Sequence, residues 1–228
     1  MKDNYNDNFY LQREGLKRSS AQNIIPLVIK LINPVSVLDV GCGIGTWLSV
    51  VKEHGIETFR GIDGAWVNRE LLRIDKESFT VMDLEKPSYQ RKTFDLVVSL
   101  EVAEHLPENK AAGFVDFLIS HGPVVLFSAA IPLQGGVDHI NEQWQSYWID
   151  LFDKAGFLVA DVIRKRVWDD DKVLSFYAQN SFLFVNKKYI SNYPLLQAEM
   201  KAMPSMPFNI VHPRHYEFRL VPLLGRKE

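Results

Sequence analysis

Three closely spaced glycines and a downstream aspartate are the first residues whose pattern indicates a ligand site. Gly41, Gly43 and Gly45 follow the apolar segment 36–40 and precede a predicted helix. Glycine at such a junction permits a tight turn and lets a ligand approach the backbone closely. Asp63 ends the next apolar segment, which in a doubly wound sheet places its carboxylate beside the glycine loop. That carboxylate can accept hydrogen bonds from both hydroxyls of a ribose.

Further acidic residues distinguish this pattern from a dinucleotide-binding loop. The glycine spacing is G-x-G-x-G, whereas dinucleotide sites show G-x-G-x-x-G. Asp39 precedes the first glycine and suits a cationic ligand better than a pyrophosphate. Asp83 and Leu84 follow a third apolar segment, where they are placed to border an adenine ring. Asp63 or Asp83 alone is equally well explained as a loop carboxylate, but together with the glycine loop they favour a binding site.

Two clusters of carboxylate and imidazole side chains follow later strands of the predicted sheet. Both fall at the carboxyl ends of strands, where ligands bind in open α/β sheets. One hypothesis makes His139 a general base for a hydroxyl nucleophile, because a free imidazole has a pKa near ~6.5. The other hypothesis makes four residues the ligands of Mg²⁺, Mn²⁺ or Zn²⁺: Glu101, Glu104, His105 and His139. The predicted catalytic residues are therefore His139, Glu101 and His105.

Aromatic side chains near the second cluster are candidates for contact with the acceptor. Trp144 and Trp148 lie four positions apart and share a face of a predicted helix, and Tyr177 comes before the last strand. Aromatic faces flanked by amide side chains suit a sugar or another polyhydroxylated compound. The alternative for aromatic residues at helical spacing is core packing, which we favour for Trp148.

Apolar runs alternate with amphipathic segments along most of the chain. The predicted strands are 36–40, 57–63, 79–82, 94–100, 124–128, 157–164 and 181–185. The predicted helices are 21–32, with Ser19 or Ser20 as N-cap, then 46–54, 110–120 and 144–155. This alternation predicts an α/β fold, with a doubly wound, mostly parallel seven-stranded sheet and helices on both faces. A loop at 165–174 allows the last strand to run antiparallel.

The chain changes character after residue 186. Residues 1–186 are predicted to form the ligand-binding domain, with 1–18 as a lead-in. The remaining 187–228 hold five of the eleven prolines and seven Lys/Arg against three Asp/Glu. We interpret this net-positive segment as an extension that packs on the domain or on a partner, with a loosely ordered tail as the alternative.

The overall composition excludes several classes of function. The formal net charge is −2, and no dense basic stripe with interleaved aromatic residues occurs before the extension, which argues against nucleic acid as a partner. The single cysteine, Cys42, excludes an intrachain disulfide and fits a reducing compartment. The polar start of the sequence and the lack of a long apolar stretch predict neither a signal peptide nor a membrane span. We expect a cytoplasmic protein with no membrane partner.

Four segments resemble, in order, the successive S-adenosylmethionine (SAM) binding motifs of class I methyltransferases. They are VLDVGCGIG, GIDGAW, VMDLE and FDLVVSLEVAEHL, and the resemblance covers roughly residues 19–185. The resemblance implies a seven-stranded sheet with a reversed last strand. It assigns the methionine and ribose side of SAM to Gly41, Gly43 and Gly45, the ribose hydroxyls to Asp63, the adenine to Asp83 and Leu84, and the methyl-transfer site to Leu100 and Glu101. We predict Asp39 and Cys42, in and before the same loop, as further cofactor-binding residues.

Two weaker resemblances concern the acceptor. The E-x-x-E-H pattern with a later histidine is similar to metal-assisted small-RNA 2′-O-methyltransferases and to some quinone-biosynthesis O-methyltransferases, in which a metal activates the acceptor hydroxyl. An E-H-L segment also occurs in class I methyltransferases that use no metal. The segments IPLQGGVDHINEQWQSYW and VWDDDKVLSFYAQN resemble those of bacterial methyltransferases of surface-polysaccharide and antibiotic tailoring.

These observations predict a SAM-dependent methyltransferase that acts on a small polar acceptor, most simply a hydroxyl of a sugar or nucleotide sugar. The cofactor is SAM, and Mg²⁺ or Mn²⁺ is added if the acidic and histidine clusters bind metal. Two alternatives stay open. One is a metal-dependent RNA 2′-O-methyltransferase, which the net-positive extension would serve, and the other is a SAM-binding scaffold without catalytic activity.

Overall fold

The computed structural model describes residues 7–88, 92–202 and 206–220, and its centre is one seven-stranded sheet. The strand order is β3-β2-β1-β4-β5-β7-β6. In chain order the strands are β1 (Ser36–Val40), β2 (Thr58–Asp63), β3 (Phe79–Val81), β4 (Leu96–Leu100), β5 (Val124–Ser128), β6 (Phe157–Ala160) and β7 (Phe182–Asn186). The first five strands pair in parallel, and β7 runs antiparallel between β5 and β6. The predicted fold class is confirmed.

The strand order also fixes where a ligand can bind. The chain winds outward from β1 to β3, then returns to place β4 on the other side of β1. The connections after β1 and β4 therefore leave the sheet in opposite directions, and a crevice opens between them at the carboxyl edge. Both strands are almost wholly buried, because helices cover both faces of the sheet.

The helices divide into two sets, one on each face of the sheet. In chain order they are α1 (Asp7–Ile32), α2 (Thr46–Glu53), α3 (Ala111–Ser120), α4 (Gln145–Lys154), α5 (Arg164–Val167), α6 (Ser175–Asn180), α7 (Pro194–Ala202) and α8 (Pro213–His215). Alternate strand residues point to opposite faces, so Val98 joins the core beneath α1, α2, α5, α6 and α7, and Val97 joins the core beneath α3 and α4.

The first helix is longer than the sequence pattern predicts. It begins at Asp7 and contains Ser19 and Ser20 in its interior, so the prediction that either serine is its N-cap is wrong. The Ser20 hydroxyl instead donates a hydrogen bond to the Leu16 carbonyl one turn earlier, at 2.9 Å. Such back-bonding lets serine occupy a helix interior. The longer helix places Glu14 and Lys17 near the carboxyl edge of the sheet.

The connection between the last two strands also differs from the prediction. Strand β6 ends at Ala160, four residues before the predicted 164, and α5 occupies part of the predicted loop 165–174. The end of β6 before Arg164 is explained by the fully buried guanidinium of this residue, which pairs with Asp161. A buried guanidinium needs such a partner. In a continued strand, residues 161 and 164 would point to opposite faces and could not pair.

The C-terminal segment packs on the domain in two places. In α7, Leu196 is fully buried in the core beneath α1. Residues 206–212 then run along α4, α5 and α6, and a π-helical turn at Tyr216–Leu220 follows α8. The division at residue 186 stays a prediction, and parts of both predicted ends lie outside the described residues. Among the described helices, none is long and apolar enough to cross a bilayer.

Candidate active site

A cavity of about 680 Å³ lies at the carboxyl edge, where β1 and β4 part. Its size is within the range that holds a small molecule or cofactor. The predicted site residues among those that line it are Asp39, Gly41, Cys42, Gly43, Asp63, Asp83, Leu84, Leu100, Glu101, His105 and Tyr177. Five other predicted residues are not in this lining: Gly45, Glu104, His139, Trp144 and Trp148.

The glycine loop has the backbone conformation that glycine alone adopts easily. Gly41, Gly43 and Gly45 have φ values of 80°, 55° and 82°. A Cβ atom on Gly41 would lie 2.3 Å from Cγ2 of Val102, so a side chain cannot be added without moving the cavity wall. Gly45 forms the N-cap of α2 and shapes the turn rather than lining the cavity.

Asp63 is held by backbone donors at the bottom of the cavity. Its Oδ2 accepts a hydrogen bond from the Gly43 N–H at 2.7 Å, and its Oδ1 accepts one from the Gly64 N–H at 2.6 Å. Burial raises the pKa of this carboxyl, and the two N–H donors oppose that rise. The donors also fix the direction of the carboxylate, which is the condition for binding a vicinal diol.

Asp39 supplies a buried acidic group with unused hydrogen-bonding capacity. The side chain lines the cavity and is 3% exposed. Its Oδ2 has no hydrogen-bond partner among the described residues. Burial, and then the charge of Asp63, raise the pKa of Asp39 to about 8. An ammonium group is the ligand that such a site favours, so Asp39 and Asp63 together fit the amino acid and ribose parts of SAM.

The opposite end of the cavity is apolar and aromatic. Leu84 is buried there and Asp83 is exposed beside it, and both border the space. Trp66, which was not predicted as a site residue, covers Gly64 so closely that a Cβ there would lie 2.2 Å from the indole ring. The sequence signal was present in the segment GIDGAW, whose glycine leaves room for the indole.

Helix α1 contributes two cavity residues that the sequence analysis missed. Glu14 and Lys17 line the cavity from above the glycine loop. Glu14 also forms an ion pair with Arg73, which ties α1 to the segment after β2. No signal for these residues was available, because the pattern of apolar residues placed the start of the helix after them.

An acid–histidine cluster adjoins the cavity on its β4 side. One ligand atom from each of Glu104, His105 and His139 lies within 4.8 Å of the other two. Glu104 is fully buried, and neither of its carboxylate oxygens has a hydrogen bond of normal geometry within the described part of the chain. The backbone N–H groups of Glu104 and Ala130 and the Glu101 carboxyl lie near it. Its Oε1 lies 4.0 Å from Nε2 of His139. A buried carboxylate with so few donors, facing two imidazoles, fits a divalent cation.

The two imidazoles are oriented by hydrogen bonds at their other nitrogens. Nδ1 of His139 lies 2.9 Å from the Glu142 carboxylate, and Nδ1 of His105 lies 3.3 Å from the Asp138 carbonyl. Donation at Nδ1 places the lone pair of each neutral ring on Nε2. Burial, and then His139, lower the pKa of His105 to about 4, so this ring is neutral at pH 7.

Glu142 is itself fixed by the loop that carries His139. Its two carboxylate oxygens accept backbone hydrogen bonds from Leu133 at 2.8 Å and Gly135 at 2.7 Å. Leu133 and Asp138 in this loop have positive φ values of 67° and 56°. This conformation costs a non-glycine residue conformational free energy. Residues in this conformation are found mainly at sites where the surrounding structure holds a side chain in place.

Glu101 borders the cavity beside this cluster rather than within it. It also has a positive φ, of 56°, and its Oε2 accepts a hydrogen bond from Nε2 of Gln134 at 2.5 Å. Burial raises the pKa of Glu101 to about 7. Burial and the adjacent charge of Glu101 raise the pKa of Glu104. The structure thus brings ligand atoms of three of the four predicted metal ligands within 4.8 Å of one another and places Glu101 next to them.

The predicted acceptor contacts have different locations. Trp148 is buried in the core against Phe127, which is the core packing that we favoured for it over an acceptor contact. Trp144 precedes α4 and is 41% exposed outside the cavity. Tyr177 lines the cavity, and burial together with the charge of Glu101 raises its pKa.

Comparison with known proteins extends these observations. The sequence profile of a family described as "Methyltransferase domain" matches residues 11–162. Among solved structures, an O-methyltransferase family protein from Burkholderia thailandensis is 13% identical, with a TM-score of 0.59 over 79% of this chain and 59% of that one. The methyltransferase domain of bacterial CtHen1 is 20% identical, with a TM-score of 0.53 over 75% of this chain and 98% of that one.

A third structure shares the fold and contains the spent cofactor. It is the magnesium protoporphyrin IX methyltransferase from Synechocystis with bound S-adenosylhomocysteine (SAH). It is 18% identical, with a TM-score of 0.54 over 78% of this chain and 87% of that one. The likeness to these structures shows a common fold, and the profile match covers most of the chain. The chain belongs to the methyltransferase domain family and is a class I SAM-dependent methyltransferase.

Proposed function

We propose that the protein transfers the SAM methyl group to a hydroxyl of a small, uncharged, sugar-like acceptor, and that a divalent cation held by Glu104, His105 and His139 prepares that hydroxyl. The observation that carries the proposal is the acid–histidine cluster beside the cofactor cavity. Its carboxylate is fully buried without a hydrogen bond of normal geometry among the described residues, and one nitrogen of each of two imidazoles lies within 4.8 Å of it.

The residues of the glycine loop and its neighbours bind the cofactor in this proposal. SAM supplies an electrophilic sulfonium methyl group that needs an aligned nucleophile. Asp39 accepts the ammonium group of the amino acid part, and Asp63 accepts the ribose hydroxyls. Trp66 and Leu84 enclose the adenine. Because Gly41 has no side chain, the cofactor can approach the backbone of the glycine loop closely at this point of the cavity wall.

An alcohol is a weak nucleophile, and the acid–histidine cluster would hold the cation that activates it. A bound divalent cation lowers the pKa of a hydroxyl that coordinates it. Glu104 provides the anionic ligand, and His105 and His139 provide neutral nitrogen ligands with Nδ1 already donating elsewhere. A direct role of His139 as base is less well supported, because its Nε2 faces Glu104 and the ring does not line the cavity.

The charge of the cavity favours an uncharged acceptor. Six carboxyl side chains and one lysine line it. The carboxylates that are ionised at pH 7 repel the phosphates of RNA or of a nucleotide sugar and accept hydrogen bonds from hydroxyl groups. Asp39, whose pKa is raised to about 8, adds to this charge only when a cationic ligand holds it ionised. Tyr177 is buried at the border of the cavity next to Glu101.

Calorimetric titration with Mn²⁺ in the presence of SAH tests the metal site. We expect the wild-type protein to bind about one equivalent and Glu104→Gln to bind at least roughly tenfold more weakly, because it loses the anionic ligand. Glu108→Gln is the matched control, since Glu108 is exposed on the same segment. Absence of Mn²⁺ binding to the wild type, or equal binding by both variants, would refute the metal site.

Transfer of a labelled methyl group from SAM tests the acceptor. The panel contains uncharged sugars and glycosides, nucleotide sugars, and short RNAs, each assayed with Mn²⁺ and with a strong chelator. We expect transfer to uncharged hydroxyl compounds that the chelator abolishes. Transfer to RNA alone would contradict the sugar proposal and support a metal-dependent RNA methyltransferase. Transfer that persists with the chelator would contradict the metal role and support His139 as the general base.

A further inference from the structure

A chain of buried amide side chains connects Glu101 to the C-terminal segment. The Gln134 amide nitrogen donates to Glu101 Oε2 at 2.5 Å. The Gln179 amide nitrogen donates to Gln134 Oε1 at 3.1 Å, and the backbone N–H of His212 donates to Gln179 Oε1 at 2.8 Å. Three consecutive hydrogen bonds thus link a backbone donor near the C-terminus to a carboxylate at the cavity wall.

The direction of these hydrogen bonds follows from the backbone donor at one end. A backbone N–H can only donate, so the atom of Gln179 that faces His212 is the carbonyl oxygen, and its nitrogen must face Gln134. Gln134 then presents its oxygen to Gln179 and its nitrogen to Glu101. The same oxygen also accepts from Ile131 N–H at 3.3 Å and from Asn180 Nδ2 at 2.8 Å, so three donors determine this orientation.

The segment 206–212 is docked by the same elements that border the site. Gln145, at the start of α4, donates to the Ile210 carbonyl at 2.9 Å. The buried guanidinium of Arg164 donates to the carbonyls of Pro207 at 3.1 Å and Phe208 at 2.9 Å. An undocked segment would remove one acceptor from Gln145 and two from Arg164, at a cost of about 0.5–1.5 kcal/mol for each hydrogen bond. Gln145 would retain the Gln179 carbonyl and Asn180, and Arg164 would retain Asp161.

We propose that the segment 206–212 is a structural part of the acceptor site, and that Gln179 and Gln134 are positioning residues that transmit its docking to Glu101. The proposal rests on the proposed function, in which Glu101 borders the acceptor and the metal ligands. The Glu101 carboxyl adjoins the proposed ligand Glu104, so its direction affects that ligand. Loss of a hydrogen-bond partner of a metal ligand typically weakens metal binding by ~10–100-fold.

A pair of substitutions at position 212 isolates the first hydrogen bond of the chain. His212 has φ −67° and ψ 133°, so proline fits its backbone conformation but lacks the N–H. His212→Pro and His212→Ala both lose the imidazole, and only His212→Pro loses the donor to Gln179. We expect His212→Pro to bind Mn²⁺ about tenfold more weakly than His212→Ala in the presence of SAH, with equal SAH affinities. We expect a factor of only about ten, the low end of the ~10–100-fold range, because Ile131 and Asn180 still donate to Gln134 in both variants.

Side-chain amide signals of Gln134 in ¹⁵N NMR spectra of the metal-free protein provide a readout that does not depend on metal. We expect them to shift in His212→Pro relative to His212→Ala. Equal spectra, or equal Mn²⁺ affinities where the wild type binds Mn²⁺, would overturn the proposal. If the wild type binds no Mn²⁺, the metal site of the proposed function fails, and the Gln134 signals alone decide the positioning role. Should His212→Pro not fold, Gln179→Met compared with the wild type provides the same two measurements.

Discussion

At the scale of single residues, the glycine loop combines two separate constraints. Gly41 has a positive φ, and its missing Cβ leaves space for the side chain of Val102. Gly55, at the end of α2, has almost the same φ of 82° but open space around it. Comparing alanine at these two positions therefore separates the backbone requirement from the steric one.

We expect Gly55→Ala to lower the free energy of unfolding by about 1–2 kcal/mol, the cost of a left-handed conformation, and to leave SAH affinity unchanged. Gly41→Ala should lower the free energy of unfolding by the same amount and by a further ~1–3 kcal/mol, because its Cβ would clash with Val102. Its displaced wall should also weaken SAH binding by roughly tenfold or more. Urea denaturation and calorimetry measure both quantities. Equal losses of stability would show that the contact with Val102 does not matter.

Asp39 should couple cofactor binding to proton release. Its raised pKa of about 8 means that the free protein carries a protonated Asp39 near pH 6.5. Binding of the SAM ammonium favours the ionised carboxylate, so about one proton should leave on binding at that pH. Calorimetry in buffers of different ionisation enthalpy measures the release, which should disappear in Asp39→Asn. Proton release that persists in Asp39→Asn would assign it to another group.

At the scale of secondary-structure elements, Arg164 determines where β6 ends and how the C-terminal segment is held. The fully buried guanidinium pairs with Asp161 and donates to backbone carbonyls of the segment 206–212. Arg166, two residues later in the same helix, pairs with Glu199 at 2.6 Å on a partly exposed surface. The two arginines thus offer a matched comparison between buried and exposed ion pairs.

Arg164→Met should lower the free energy of unfolding by about 3–5 kcal/mol, because it leaves a carboxylate and several carbonyl groups without a donor. Arg166→Met should lower it by about 0–1 kcal/mol, as is usual for exposed pairs. Chemical denaturation of both variants measures the difference. If the two losses are similar, the guanidinium of Arg164 is not the group that holds the segment.

The elements also show what the sequence can predict. Strands such as β4 were predictable because strands buried on both faces require continuous apolar runs. Glu104, His105 and His139 were predictable as a group because each follows the carboxyl end of a strand. Helix α1 was predicted too short, because Ser19 and Ser20 are residues typical of an N-cap, whereas both lie inside the helix. Contacts between distant amides, such as Gln134 with Gln179, leave no local pattern.

At the scale of the whole molecule, the cavity at the carboxyl edge is bordered by α1 and by the ends of the strands. Helix α1 forms part of its wall through Glu14 and Lys17, and Arg18 pairs with Glu53 of α2 beside it. Helix α7 packs against the same core but contributes no residue to the cavity lining. A ligand that fills the cavity therefore contacts α1 and the glycine loop together, and it opposes any opening in which α1 leaves the sheet.

Hydrogen exchange of peptides from these two helices tests this arrangement. At an SAH concentration one hundred times Kd, openings of α1 that release the ligand should cost about 2.7 kcal/mol more, which slows their exchange about a hundredfold. Peptides from α7 can open without exposing the cavity, so SAH should slow their exchange much less. Equal slowing of both helices would mean that the protein exchanges only by global unfolding, and no slowing of α1 would place the ligand elsewhere.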